Sequence, residues 1–218
     1  MDYTKKAVIF DLDGVLVDSA ICHYKAWKLI ADEFNIEFDE KRGELTRGVS
    51  RLESLMVVLN GHKVSDEQIE ELMQKKNDLY IELVDKAGDE LLLPGVKEFL
   101  SKLQEKGFKL AVASSSKNTP ALLKQAGLDK GYFDAIADGN DIKNTKPDPE
   151  VFLLAAERVG ISASNSLVVE DAEAGIEGAK AAKMGTFGVG PVDLGVCDIR
   201  TESIKETDIK MVLDYFAE

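Results

Sequence analysis

Basic charge, cysteine and long apolar runs are what this sequence lacks. Lysine and arginine number 27 against 40 aspartates and glutamates, for a formal net charge of −13. Nucleic acid is bound by spread basic patches, and anionic lipid asks for the same, so both partner classes are set aside. An acidic chain can still hold a small phosphorylated molecule, provided cations are supplied locally, and a bound metal ion is one source. Cysteine occurs twice, as Cys22 and Cys197, far apart and without metal-ligand spacing, so no disulfide framework is expected. No stretch approaches the roughly 18 apolar residues of a membrane span. The apolar run ahead of Asp11 is too short for the core of a signal peptide, and a cytoplasmic location is expected. Internal repeats and low-complexity segments are also missing.

What is present suits a folded domain. The 218 residues are 44% hydrophobic and 31% charged, enough to build a core. That length fits a main domain carrying an insertion. Short apolar runs fall at Ala7 to Phe10, Leu110 to Ala113, Ala135 to Ala137, Leu167 to Val169 and Thr186 to Val189. Helical patterns lie between the later ones. One runs from about Gly95 to Lys106. The next has Thr119 as N-cap, Pro120 at the first position and Gly127 past the end. A third has Asp148 as cap, Pro149 at the first position and Gly160 past the end, and a fourth runs from near Asp171 to Gly185. Strands alternating with helices of this length predict an α/β fold with a doubly wound parallel sheet.

Residues 15 to 94 break the rhythm. They offer no convincing strand, but Ile21 to Phe34 and Val64 to Ala87 carry apolar residues at helical spacing. An α-helical insertion is expected there, between a core made of residues 1–14 and 95–218. Its expected hinges are Val15 to Ala20 and Leu91 to Val96.

In an open α/β sheet, ligands bind outside the carboxyl ends of the strands. Asp11 and Asp13, Ser114, and Glu170 with Asp171 stand at three such ends, and Lys146 lies in a polar stretch after the third strand, Ala135 to Ala137. Each has a plain reading by itself: acidic pairs are common here, Ser114 could cap a turn, and a lone lysine is usually a surface group. Their joint occurrence in order argues for a site. A carboxylate directly after a buried strand is difficult to solvate unless paired or metal-bound. Three carboxylates from two strand ends suit a hard cation with oxygen ligands, which describes Mg²⁺.

The order FDLDGVLVDS, a strand ending in Ser114, then Lys146, then Glu170-Asp171 resembles the haloacid dehalogenase superfamily of phosphotransferases. More narrowly, the chain resembles the β-phosphoglucomutase family over nearly its whole length. The narrower likeness rests on HYKAWK (His23 to Lys28), RGVSR (Arg47 to Arg51), KKND (Lys75 to Asp78), ASSSKN (Ala113 to Asn118), FDAIAD (Phe133 to Asp138), TKPDP (Thr145 to Pro149) and EDAEAGI (Glu170 to Ile176). The resemblance implies a Rossmann-like core and a helical cap that closes over the site. It implies Asp11 as the nucleophile that becomes an aspartyl-phosphate and Asp13 as general acid and base. Ser114 and Lys146 would hold the phosphoryl group. Asp11, the Asp13 backbone carbonyl, Glu170 and Asp171 would bind Mg²⁺. Arg51 with Gly48 and Val49, and opposite them Ser116, Lys117 and Asn118, would grip a second phosphate. His23 and Lys76 would position the sugar or Asp13. Trp27 joins the substrate-binding candidates, although its helical spacing also fits a place in the cap core.

The implied reaction interconverts β-D-glucose 1-phosphate and β-D-glucose 6-phosphate. β-Glucose 1,6-bisphosphate is the implied activator and intermediate, sugar phosphates the partners, and a monomer the expected state. A capped sugar-phosphate phosphatase would share Asp11, Asp13, Lys146 and the metal site, but it has no need of a second phosphate clamp. A receiver-like phosphorylatable module also uses a strand-end aspartate with Mg²⁺, yet gives Asp13 and a large cap no purpose.

Overall fold

The computed structural model describes residues 2–46 and 50–217. Strand β1 (Ala7–Phe10) leads into four helices, α1 (Ala20–Glu33), α2 (Glu40–Glu44), α3 (Arg51–Leu59) and α4 (Asp66–Ala87). The chain then alternates: α5 (Val96–Glu105), β2 (Lys109–Ala113), α6 (Thr119–Gln125), β3 (Ala135–Ala137), α7 (Glu150–Val159), β4 (Ser166–Glu170), α8 (Glu173–Ala181), β5 (Gly185–Val189), β6 (Ile199–Thr201) and α9 (Ile209–Tyr215). No helix among the described residues is long and apolar enough to cross a membrane.

Two compact units result: residues 1–18 with 89–218, and residues 19–88. The expected boundaries at 14/15 and 94/95 therefore shift outward along the core. Val17 is bridged to both Asp13 and Leu92, and Asp18 N donates to Leu91 O at 2.8 Å. These backbone bonds tie both connecting segments to the sheet unit.

The sheet is parallel throughout, in the order β3-β2-β1-β4-β5-β6. β1, β4 and β5 are buried along their full length, as is expected of strands covered by helices on both faces. After β3 the winding reverses and resumes on the far side of β1, so the β1/β4 boundary is the topological switch point. Register places Phe10 opposite Val169, and Asp11 N donates to Val169 O at 2.9 Å. The residues that follow β1 and end β4 are thereby brought side by side.

The helical unit has its own core, with Trp27, Ile30, Phe38, Leu55, Val58, Leu59 and Leu72 packed together. α3 was not anticipated. Its start is a capping box in which Ser50 Oγ accepts from Glu53 N while the Glu53 carboxylate accepts from Ser50 N.

Three helix starts differ from expectation. α6 is capped by Asn118, because the Thr119 hydroxyl donates back to Ser116 O at 2.8 Å. α7 begins at Glu150, one residue late, with Pro149 at the cap position; the Asp148 carboxylate still accepts from Glu150 N at 3.0 Å. α8 begins at Glu173 because the amides of Asp171 and Ala172 turn toward Glu170 instead of entering the helix.

Candidate active site

The sheet unit holds a cavity of about 230 Å³ lined by Asp11, Asp13, Ser114, Ser115, Ser116, Lys146, Glu170, Asp171 and Ala172. All of the strand-end candidates read from the sequence meet in it. Asp11 follows β1 directly. The chain then turns tightly, with Gly14 N donating to Val17 O at 2.7 Å and Gly14 at φ +83°. That turn sets Asp13 beside Asp11 on the cavity wall.

Lys146 is the centre of the charge arrangement. Its ammonium bonds the Asp11 carboxylate and lies 2.5 Å from Glu170 Oε1. The side chain rests over the buried Phe152 ring, with Nζ 4.9 Å from the centroid. Burial would drive this ammonium toward neutrality, but the Asp11 and Glu170 charges outweigh it and hold its pKa above the ordinary lysine value. The lysine is therefore a fixed cation at neutral pH.

Glu170 is 1% exposed. Its Oε2 accepts from the amides of Asp171 at 3.0 Å and Ala172 at 3.1 Å. Burial raises its pKa, with Asp11 adding to the rise and Lys146 opposing it. Asp171 is pushed up to about 7, first by burial and then by the Asp11 and Glu170 charges. Asp11, Glu170 and Asp171 each offer an oxygen, and the three oxygens lie within 4.8 Å of one another. Three carboxylates face one ammonium, so the cluster is short of positive charge. An all-oxygen donor set of this size fits a hard divalent cation.

Two glycines make room for these carboxylates. A Cβ at Gly14 would overlap the Asp171 carboxylate, and one at Gly175 would overlap that of Glu170. The spacing of Gly175 five residues after Glu170 lies within a recognised motif, but its steric purpose needed coordinates.

The loop after β2 closes another side of the cavity. Ser114 N donates to Ala137 O and Gly139 N to Ser116 O, each at 3.1 Å. Ser114 Oγ accepts from Ser116 N at 3.1 Å, and Ser116 Oγ from Asn118 N at 3.2 Å. Lys117 is exposed and Asn118 half-buried on the same loop; neither lines the cavity. The polar stretch ahead of Lys146 is held by side chains of α7. Glu150 accepts from the amides of Lys143 at 3.1 Å and Asn144 at 2.8 Å, and Arg158 pairs twice with Asp141 at 2.8 Å.

The remaining candidates belong to the helical unit. Lys76 is 3% exposed, and its Nζ lies 2.6 Å from His23 Nδ1, 4.8 Å from the Trp27 ring and 4.9 Å from the Tyr80 ring. His23 stacks on Tyr80 with centroids 4.1 Å apart. Burial, then the Lys76 and Arg51 charges, lower the His23 pKa to about 3, so the imidazole is neutral and accepts from Lys76. Trp27 is 2% exposed and packed in the unit's core. Its ring lies against the Lys76 ammonium. Arg51 opens α3, is exposed, and reaches Asn77 Oδ1 at 3.1 Å. Gly48 and Val49 lie outside the described residues.

Comparison with known proteins agrees with this geometry. The model of the haloacid dehalogenase-like hydrolase family matches residues 5–183. The β-phosphoglucomutase of Bacillus subtilis strain 168 is 42% identical over 189 residues, covering 85% of this chain and 83% of that protein. A phosphorylated carbohydrates phosphatase of Thermotoga maritima is 34% identical over 182 residues, covering 81% of each chain. The crystal structure of a β-phosphoglucomutase from Clostridium difficile matches with a TM-score of 0.84 at 33% identity, covering 98% of this chain and 99% of that one.

Proposed function

Because the chain belongs to the haloacid dehalogenase-like hydrolase family, an enzyme family of phosphoryl transfer and hydrolysis, we propose that it is a sugar-phosphate mutase acting on β-D-glucose 1-phosphate. Its product is β-D-glucose 6-phosphate, its intermediate and activator β-glucose 1,6-bisphosphate, and its location the cytoplasm, where it acts as a monomer. The observation that carries the reading is Lys146 bonded to both Asp11 and Glu170 at the β1/β4 switch point. The likeness to β-phosphoglucomutases, greater in identity than that to the phosphatase, favours transfer to sugar over transfer to water.

Phosphoryl transfer is governed by positioning and by neutralising charge on the transferring group. An Asp11 carboxylate oxygen forms a bond to phosphorus as the bond from phosphorus to the sugar oxygen breaks. Asp13 gives a proton to that leaving oxygen. In the return step the C6 hydroxyl of β-glucose 1-phosphate attacks the aspartyl-phosphate, Asp13 takes its proton, Asp11 is restored as carboxylate and the bisphosphate is formed. Ser114 and Lys146 hold the phosphoryl oxygens, Lys146 as a permanent cation. Mg²⁺, held by Asp11, the Asp13 carbonyl, Glu170 and Asp171, would supply the further positive charge that a group of three carboxylates and a phosphate requires.

The second phosphate is assigned to Arg51 and its neighbours Gly48 and Val49, with Ser116, Lys117 and Asn118. His23 and Lys76 are assigned to substrate positioning. A charge-assisted contact from Arg51 contributes on the order of 1.5–3 kcal/mol, or roughly tenfold to a hundredfold in transfer to the sugar. Acetyl phosphate has no second phosphate. Arg51→Ala is therefore expected to lose glucose 6-phosphate production while hydrolysing acetyl phosphate at the wild-type rate. An equal fall in both activities would make Arg51 structural and remove the clamp.

A further inference from the structure

The polar run Gly139-Asn140-Asp141 after β3 does not line the cavity that holds Asp11, yet it is bonded to the loop that carries Lys117. Asn140 Nδ2 donates to Lys117 O at 3.1 Å. Beside that contact, Gly139 N donates to Ser116 O at 3.1 Å. A Cβ at Gly139 would overlap Ser115 O and crowd Lys117 N, so the two segments meet backbone to backbone. Lys117 itself is exposed and stands outside the cavity.

Asn140 is held from behind. Its backbone amide donates to Asp138 Oδ1 at 2.8 Å, and the Asp138 amide donates to Asp141 Oδ2 at 3.0 Å. Arg158 of α7 pairs with both Asp141 oxygens at 2.8 Å and also donates to Ile136 O. Asp138, the middle of this set, is 6% exposed. A line of bonds therefore runs from α7 through Asp141 and Asp138 to Asn140, and ends on the Lys117 carbonyl. Aspartate side chains that bond the backbone nearby stiffen a turn. Lysine, by contrast, carries its charge on a flexible four-carbon stem. Fixing the backbone beneath that stem narrows the space its ammonium samples and lowers the ordering cost of gripping an anion.

We propose that Asn140 is a positioning residue that sets the Lys117 backbone for its grip on the second phosphate of the sugar. This rests on the reading of Lys117 as part of that grip. It gives the polar stretch ahead of Lys146 a purpose, and it places one determinant of transfer to sugar in the β3–α7 connection. Asn140 is one of several polar residues there, and only the coordinates show which of them reaches the Lys117 carbonyl.

The test compares wild type, Asn140→Ala, Lys117→Ala and the double variant. KM and kcat are measured for β-glucose 1-phosphate with Mg²⁺ and a trace of β-glucose 1,6-bisphosphate, and acetyl phosphate hydrolysis is followed alongside. Asn140→Ala is expected to raise KM roughly two- to tenfold, the range for one hydrogen bond between uncharged groups. Its kcat should stay within about twofold of wild type, and acetyl phosphate, which has no second phosphate, should be hydrolysed as before. In the Lys117→Ala background the same substitution should cost less than it does alone, because the contact it breaks acts through Lys117. Unchanged KM in Asn140→Ala would overturn the proposal and leave the second-phosphate grip standing. Additive effects of the two substitutions would also overturn it, as would an equal fall in acetyl phosphate hydrolysis, which would make Asn140 a support of the fold alone. Wild-type KM in Lys117→Ala would defeat the second-phosphate reading of Lys117 itself.

Discussion

At the scale of single residues, the site is a balance of three carboxylates against one ammonium. Asp11→Asn removes one negative charge from a cluster that has too many, so the fold should tolerate it. Turnover should vanish, because an amide oxygen cannot form the aspartyl-phosphate; a melting curve and an activity assay on one preparation check both halves. Asp171 gives a pH dependence. Its pKa is raised to about 7 in the folded chain, so between about 4 and 7 the folded state binds the extra proton. Without metal, this group's contribution to stability is full at low pH and is lost as pH rises through 7. A cation must displace that proton, so Mg²⁺ should bind more weakly as pH falls below 7. Titrating Mg²⁺ against melting temperature from about pH 5.5 to 8 measures it; affinity independent of pH would remove Asp171 from the metal site.

At the scale of elements, the strand ends were legible and the supports behind them were not. β1 and β4 could be read because short buried runs ended abruptly in carboxylates. β6 was missed: Ile199–Thr201 is a three-residue edge strand, partly exposed, too short to show a period. α3 was missed although Ser50 and Glu53 stand at capping-box spacing ahead of an apolar run. That signal was available and could have found it. Gly175 shows what needs coordinates, since its purpose is the space its missing Cβ leaves for Glu170. Gly175→Ala should displace the Glu170 carboxylate, loosen Lys146 and lower kcat by roughly a hundredfold, the scale of a 1 Å misplacement. The loss should show in kcat with α8 still folded by circular dichroism. Wild-type kcat in this variant would mean that Glu170 does not position Lys146.

At the scale of the whole molecule, a helical insertion in a doubly wound sheet was readable because the strand rhythm stops after β1 and resumes after residue 94. The bounds moved because backbone bonds at Val17 and Asp18 belong to the sheet unit, and apolar periodicity does not report such bonds. The choice between mutase and phosphatase is also a property of the whole chain, since both reactions begin with the same attack by Asp11. It is decided by which acceptor reaches the aspartyl-phosphate. The most direct measurement supplies β-glucose 1-phosphate and Mg²⁺, with and without a trace of β-glucose 1,6-bisphosphate, and follows glucose 6-phosphate and inorganic phosphate together. Glucose 6-phosphate should form well in excess of phosphate, faster with the bisphosphate, and not at all after chelation or in Asp11→Asn. Inorganic phosphate released as fast as glucose 6-phosphate, or full activity in metal-free buffer, would contradict the mutase mechanism.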